Sequence, residues 1–468
     1  MKLNLQENRT LLIVSFLVLL TRIPFLFAGY GSEEDAWGLI LTARNINLSG
    51  IYEVSRFPGH PVQELMLSLI WNWPAWSVNL LTSVISSVGV LFFMLTLKHL
   101  KFPKSIQVYA GLALAFTPVF YINSTNIMDY NWALSLVLIS FYFLVRRKIL
   151  YSGIILGIAC GFRITAGAMV LPFILWHFFN YRSWKTVIYL CVLTAIVGVT
   201  CYLPVYRIYG TGFFTYYEYF PYPSLLKNVY KATIGAWGIV GTVAVTAAGA
   251  AAVAGAVRGG KKYFREHNSL IWMCLLTIAI YMYSFLKIPQ KSAFILPMVP
   301  FIIIIFAAIL NKKHLIVLSL SLLVSCFFLG MNLDDPFRGS KASPLSVKTQ
   351  IGQTPVAIDL ISGLVIADYT KRIHKTDYTK SIVKRLISTR EKTLLIAGWW
   401  QNELTYFSLQ NPNPMVKFVY YVDQATLEKF KSEGFKIYFL PEQNYFNDLR
   451  FKDEFTDELA DPFGIYRF

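Results

Sequence analysis

Glu33, Glu34 and Asp35 stand side by side in the stretch GYGSEEDAWG (29–38), directly after about eighteen mostly apolar residues. Three consecutive carboxylates at the mouth of an apolar segment are costly unless water, a cation or a reaction keeps them there. Acids so placed can take a proton from a hydroxyl, accept its hydrogen bond, or hold a cation. The loop they open, about 29–75, also carries Arg44, Glu53, Arg56, His60 and Glu64. Arg56 and Glu64 are expected to support each other as an ion pair or to touch a substrate, and His60 sits in a turn between Gly59 and Pro61. Further along, NSTNIMDYN (123–131) supplies Asp129, CGFRI (160–164) supplies Arg163, and LKIPQKSAF (286–294) supplies Lys287 and Lys291. Asp129 could simply start a helix or turn. The three basic residues have two readings, snorkelling to lipid phosphates or lining a pocket for an anionic, membrane-bound substrate.

The elements that must position these residues are membrane spans. Of 468 residues, 55% are hydrophobic and 16% aromatic, and the mean hydropathy is +0.50, far from the balance of a soluble globular chain. In a polytopic membrane protein a net charge of +17 reflects Lys and Arg held in cytoplasmic loops, so it does not argue for a nucleic-acid partner. Cys160, Cys191, Cys201, Cys274 and Cys326 all fall in apolar segments without metal-ligand or CxxC spacing, which predicts neither a structural disulfide nor a zinc site. Arg22 and Pro24 interrupt the first apolar run, and no small-residue cleavage site follows it, so it is expected to be an uncleaved span.

Apolar runs at roughly 10–28, 76–97, 105–122, 131–145, 149–161, 164–179, 186–206, 231–257, 268–286, 292–310 and 313–330 give about eleven expected spans. With the N-terminus inside, every cytoplasmic connection (98–104, 146–148, 180–185, 258–268 and 311–314) is basic, as the positive-inside rule requires. Merging the fifth and sixth spans would break that alternation. This orientation places the first loop, Asp129, Arg163, Lys287, Lys291 and everything after about residue 330 on the outer face of the cytoplasmic membrane. His99, His177 and His314 then lie at cytoplasmic ends and are set aside.

Within the first loop, Asp35 to Asn47 reads as a short helix with Asp35 near its positive end. Val62, Leu65, Met66, Leu69 and Trp73 recur at helical spacing, which predicts an interfacial helix with its apolar face toward lipid. The run at 206–231 is dense in aromatics and fits either an interfacial belt or a cover for a lipid chain or sugar ring. VAVTAAGAAAVAGAV (243–257) predicts close helix packing. The tail, 331–468, changes character: KTLLIAGW (392–399), MVKFVYYV (415–422) and FKIYFLP (435–441) read as short buried strands, and 423–434 as an Asp-capped helix ending at a glycine. A small extracytoplasmic α/β domain is expected there, without a phosphate loop or nucleophile motif.

EEDAWGLILTARNINLSGIY followed by SRFPGHPVQELMLSLIW resembles the first outer loop of the GT-C superfamily of integral-membrane glycosyltransferases, with an acidic pair, an Ala-aromatic step, an AR-N helix and a Pro-Gly turn. LKIPQKSAFILPMVP (286–300) resembles that family's later signature of a basic residue before an aromatic-Leu-Leu-Pro-x-x-Pro pattern, and GIILGIACGFRITAGAMVLPFILW (153–176) its Gly-rich span pair with an Arg before the next helix. The resemblance covers the membrane part, 1–330, about two-thirds of the chain, and is to polyprenyl-phosphate-sugar-dependent transferases of the protein O-mannosyltransferase and aminoarabinose transferase type. Many relatives have Asp-Glu or Asp-Asp where this chain has Glu34-Asp35 after Glu33, which leaves open which carboxylate is central.

The resemblance implies a polytopic helical fold and a sugar donor linked to polyprenyl phosphate, used at the outer face. The acceptor would be an extracytoplasmic glycan, lipid or protein, and transfer would invert the anomeric carbon. It implies Asp35 as base or acceptor-orienting group with Glu34 helping or binding a cation, and Arg163, Lys287 and Lys291 on the donor phosphate; Arg56, His60, Glu64 and Asp129 are candidates for touching the substrates by their own types and positions. The acidic trio could bind Mg²⁺ or Mn²⁺, although a monophosphate donor with Arg and Lys partners requires no metal. The competing readings are a transporter or lipid flippase, which should carry its charges near the membrane midplane, and a non-catalytic assembly protein.

Overall fold

A computed structural model describes residues 5–214, 222–259, 261–333, 345–352, 354–420 and 422–440. Its first part is helical: α1 (Leu5–Arg22), α2 (Glu34–Ser49), α3 (Pro61–Ser68), α4 (Ala75–His99), α5 (Lys104–Ala115), α6 (Pro118–Asn123), α7 (Asp129–Val145), α8 (Ile149–Phe162), α9 (Val170–Tyr181) and α10 (Trp184–Tyr209). There follow α11 (Leu225–Ala232), α12 (Ile234–Trp237), α13 (Ile239–Gly259), α14 (Lys261–Lys287), α15 (Val299–Ile309) and α16 (Lys312–Phe327). Seven segments are long and apolar enough to cross a membrane: Gln6–Phe25, Ala75–His99, Ile164–Tyr181, Trp184–Tyr209, Ile239–Val257, Asn268–Lys287 and Ser292–Ile309. Each coincides with an expected span. The other four expected runs are also helical but shorter, namely α7, α8, α16 and the pair α5 and α6. That pair is broken because Pro118 has no amide hydrogen to donate and holds Thr117 extended (φ −65°, ψ 121°).

Polar side chains fix α4 against α7, the way apolar helices are commonly registered where lipid supplies no hydrophobic drive. Trp132 donates to Thr82 Oγ1 at 3.0 Å, and Asn131 donates to Ser86 Oγ at 3.1 Å. This seam sets the height at which Asp129 opens α7. On α8, Gly153, Gly157 and Gly161 face α10; a methyl on Gly157 would meet Val197 Cβ at 2.5 Å, and one on Gly161 would meet Val62 at 2.4 Å. Their small size lets α10 and α3 close on the end of α8, where Arg163 follows.

The Ala/Gly-rich helix behaves differently from the expectation of close packing. Gly249 of α13 has open space around it and Gly255 touches only Ile309, whereas the tight contacts occur earlier, where Gly238 and Gly241 meet Ser325 and Leu322 of α16. A small-residue tract permits close approach but does not compel it. Within the first loop, α2 covers the helix expected at 35–47, and α3 is shorter than the one expected at 62–73. On α3, Gln63 and Glu64 are fully buried while Leu65, Leu69 and Trp73 are exposed, an arrangement suited to lipid on the outside.

After α16 come β1 (Gly330–Leu333), β2 (Ser346–Ile351), β3 (Thr354–Asp359), α17 (Leu364–Leu386), β4 (Thr393–Ile396), α18 (Gln401–Ser408), β5 (Val416–Val419), α19 (Gln424–Ser432) and β6 (Lys436–Phe439). β1, β3 and β2 form an antiparallel sheet, and β5, β4 and β6 a parallel one with β4 central. β4 is buried along its whole length, which explains its unbroken apolar run. Asp423 caps α19 by accepting from Thr426 N at 2.7 Å. The expected aromatic run at 206–231 lies outside the described residues at 215–221, as does the tail at 334–344 and 441–468.

α17 and α18 rest on the end of the membrane part that carries the first loop. Arg372, fully buried, donates to Thr125 O at 2.9 Å and Thr125 Oγ1 at 3.1 Å. Tyr406 and Phe407 of α18 meet Trp37 of α2 with ring centroids 5.3 Å apart in each case.

Candidate active site

Five separate elements deliver charge to one cluster. The turn before α2 holds Glu33 extended as its N-cap, so Glu34 and Asp35 fall in the helix's first turn, where the backbone dipole favours carboxylates. Arg56 and His60 flank a tight turn in which Gly59 has φ +95°, with Val54 and Val205 crowding its Cα. Asp129 opens α7. Arg163 and Lys291 share one local device: each is an extended residue (φ −154°, ψ 114° and φ −138°, ψ 140°) immediately before a 3-10 segment, Ile164–Met169 or Ser292–Met298, that leads into a helix. The break in the helix turns each cation sideways into the cluster.

Lys291 Nζ lies 2.5 Å from Glu33 Oε2 and 2.5 Å from Asp35 Oδ2. Arg56 bridges two acids, donating from Nη1 to Asp35 Oδ2 at 2.7 Å and from Nη2 to Asp129. Arg163 donates to the other oxygen of Asp129 at 2.7 Å, and its guanidinium lies between the rings of Tyr130 and Phe294, 4.6 Å and 5.1 Å from their centroids. Three acids are thus balanced by three cations. Asp129 is almost completely enclosed, while Asp35, Glu33 and Lys291 keep roughly 30% of their side-chain surface open and form the accessible rim.

His60 reads as neutral. Its Nε2 accepts from Arg56 Nε at 3.0 Å, which leaves Nδ1 to donate to Phe162 O at 2.7 Å. Burial lowers its pKa and nearby Arg56 adds to this, against the pull of Asp129. For Asp35, burial alone would raise the pKa, but Lys291 and Arg56 together hold the carboxyl well below the usual range. Lys291 is driven the other way: burial would lower its pKa, and Asp35 and Glu33 more than reverse that. Glu34 contrasts with its neighbour. Burial pushes its carboxyl up to about 8, opposed by Lys375 and Lys291 and assisted by the charge of Asp35.

The structure therefore brings together Asp35, Arg56, His60, Asp129, Arg163 and Lys291 from the sequence candidates, with Glu34 adjacent. Two candidates stand apart. Glu64 accepts from Ser55 N at 2.8 Å, Ser55 Oγ at 2.6 Å and the Tyr52 hydroxyl, so it supports the loop instead of pairing with Arg56. Lys287 is exposed at the end of α14 with its ammonium 5.6 Å from the Tyr283 ring. Glu33, one of the three acids at the loop's start, pairs with Lys291. Two further participants were not among the sequence candidates. Tyr130 follows Asp129 directly and could have been found by that adjacency. Lys375 of α17 reaches toward the acidic turn, 3.5 Å from Ser32 O and from Glu403 Oε2, and nothing in its local sequence marks it.

Beside Arg163 and Tyr130 a narrow apolar cavity runs between α7, α14 and the two 3-10 segments, lined by Leu134, Val137, Ala166, Tyr281 and Leu296 among others. Among the described residues, no group of three or more His, Cys, Asp or Glu side chains is arranged to hold a metal ion; the acid oxygens of the cluster turn onto Lys and Arg instead.

The helical bundle and its two small sheets are similar in fold to a solved structure, ArnT from Cupriavidus metallidurans in the apo state, with a TM-score of 0.56 at 13% sequence identity, over 94% of this chain and 90% of that one. No protein-family model matches the sequence, and no curated protein matches it.

Proposed function

We propose that this chain is a membrane glycosyltransferase that moves a sugar from a polyprenyl-phosphate-linked donor to an acceptor glycan, lipid or protein at the outer face of the cytoplasmic membrane, with inversion. The observation that carries this reading is the rim of the cluster, where Asp35 shares Lys291 and Arg56 beside Arg163 and an apolar cavity. Similarity of fold to ArnT and the GT-C-like motifs of the sequence support it.

In the proposed reaction the acceptor oxygen attacks the anomeric carbon, the bond from that carbon to the phosphate oxygen breaks, and the acceptor proton passes to Asp35. Polyprenyl phosphate leaves with its developing charge held by Lys291 and Arg163, fixed cations that need no reorganisation. The donor phosphate competes with Asp35 for Lys291. Binding of donor thus loosens the strongest restraint on Asp35 and raises its basicity where a base is required. Arg56, anchored by Asp129 and His60, keeps Asp35 aimed. Glu34 orients the acceptor, and the apolar cavity beside Arg163 takes the first isoprene units. No step is assigned to a metal, although the rim carboxylates remain candidates for Mg²⁺ or Mn²⁺.

The proposal includes eleven crossings, with α7, α8, α16 and the α5 and α6 pair as the shorter ones, the N-terminus inside, and 331–468 as an outer α/β domain. A transporter or flippase would place its charges near the midplane; the paired charges described here gather at helix ends. The deciding experiment compares lipid-linked sugars in cells with and without the protein. Accumulation of one polyprenyl-phosphate sugar in its absence, and its consumption by the purified protein, supports the proposal; an unchanged lipid-linked sugar pool opposes it.

A further inference from the structure

On the far side of α2 from Asp35, a second cavity of about 1040 Å³ opens between α17, α18 and the ends of α1 and α4. Its position is defined by the chain: Phe27 and Gly29 follow the first candidate span, Ala75 begins the second, and both border the cavity. The opening therefore stands at the level where those two spans leave the hydrocarbon. Phe27 is 61% exposed and Trp76 44% exposed, and their rings lie 6.3 Å apart, continuing the cavity wall toward the lipid. Aromatic side chains at that depth are characteristic of the headgroup boundary.

The opposite wall is one face of α17. Thr376, Lys380, Val383 and Lys384 recur at helical spacing and all line the cavity. Lys380 and Lys384 are exposed, and Lys380 Nζ lies 5.3 Å from the Phe407 ring centroid. Gln410 and Asn411 add amide groups at the rim, and among the described residues no carboxylate lines the cavity. The wall nearest the spans is thus apolar and aromatic, while the wall away from them is cationic and amide-rich. An anionic phospholipid matches both walls at once: its phosphate meets the two lysines and the amides, and its acyl chains descend along Phe27 and Trp76. A soluble anion would use only one wall.

We propose that this cavity is a binding site for the headgroup of an anionic phospholipid of the leaflet on the side of the candidate active site, which tethers α17 to the membrane surface. The assignment is independent of sugar transfer.

The test uses the full-length protein purified in a neutral detergent, with dioleoylphosphatidylglycerol, dioleoylphosphatidylcholine or inorganic phosphate added separately, and retained lipid read by native mass spectrometry alongside the melting temperature. The expected result is about a tenfold preference for phosphatidylglycerol over phosphatidylcholine, with a raised melting temperature, as two lysines at an anionic headgroup should produce. K380Q/K384Q, which changes only exposed side chains, should reduce the preference to about twofold or less, and K429Q on α19 should leave it intact. Equal retention of the two lipids by the unaltered protein, or an undiminished preference in K380Q/K384Q, overturns the proposal. Inorganic phosphate giving the same thermal shift as phosphatidylglycerol overturns the lipid assignment in favour of a free anion.

Discussion

Lys291 and Asp35, 256 residues apart in the chain, meet with 2.5 Å between Nζ and Oδ2. The contact joins the first turn of α2 to the residue that opens the 3-10 segment before α15, so the accessible rim of the site exists only when the membrane helices are assembled. It also ties the charge state of the carboxylate to the occupancy of the lysine, because any anion that takes Lys291 withdraws the partner that keeps Asp35 acidic.

Replacing Lys291 by Met should therefore raise the pKa of Asp35 and move the acid limb of the pH and rate profile to higher pH. The direction follows from the carboxyl's low pKa in the intact cluster, which Lys291 and Arg56 sustain against burial. Affinity for the lipid-phosphate donor should fall at the same time. A pH profile of transfer at sub-saturating donor, which reports the free protein, checks the first effect, and donor titration the second.

Arg56→Ala should be the most destabilising substitution in the cluster. It leaves Asp129, 1% exposed, with Arg163 and a neutral His60, and breaking a buried pair from one side costs about 3 kcal/mol. Thermal melting in detergent measures this loss. Lys291→Met, at a more open position, should lose less.

Glu34 gives a pH-dependent stability test. With a folded pKa of about 8 against an ordinary value of 4.5, the folded chain keeps a proton that the unfolded chain releases. The associated stability is complete below about pH 4.5 and is lost as pH rises through about 8. Glu34→Gln should match the unaltered protein in melting temperature near pH 5 and exceed it near pH 9. Equal melting temperatures at both pH values would remove the raised pKa from the account.

Arg372→Ala should loosen α17 from the connection between α6 and α7. The side chain is 1% exposed and donates to both the backbone and the hydroxyl of Thr125, so its removal strands buried acceptors and costs about 2 kcal/mol or more. Limited proteolysis after residue 360 and the melting temperature together report the change.

Much of this arrangement was legible in the sequence. Length and hydropathy located the helices, because a run of apolar residues has few other soluble or membrane structures open to it. Arg163 and Lys291, singled out as basic residues that the expected orientation does not use, both fall in the cluster. The strands at 393–396, 416–419 and 436–439 followed from short apolar runs between turn signals. Partner choice was not legible. Glu64 and Arg56 are eight residues apart and of opposite charge, yet the turn at Gly59 sends Arg56 toward Asp129 and leaves Glu64 to Tyr52 and Ser55. The pairing of Glu33 with Lys291 and the approach of Lys375 to Ser32 and Glu403 were hidden for the same reason, since the partners lie far apart in the chain. Ala/Gly content suggested packing along α13, but the position of α16 decides where it occurs.

The most direct test of the central claim is transfer by Asp35→Asn, assayed with a polyprenyl-phosphate sugar in reconstituted membranes, with donor binding measured on the same preparation. The account predicts that the variant still binds donor and loses at least about a hundredfold in transfer rate, the scale of a missing general base. Transfer at close to the unaltered rate by folded, donor-binding Asp35→Asn would contradict it.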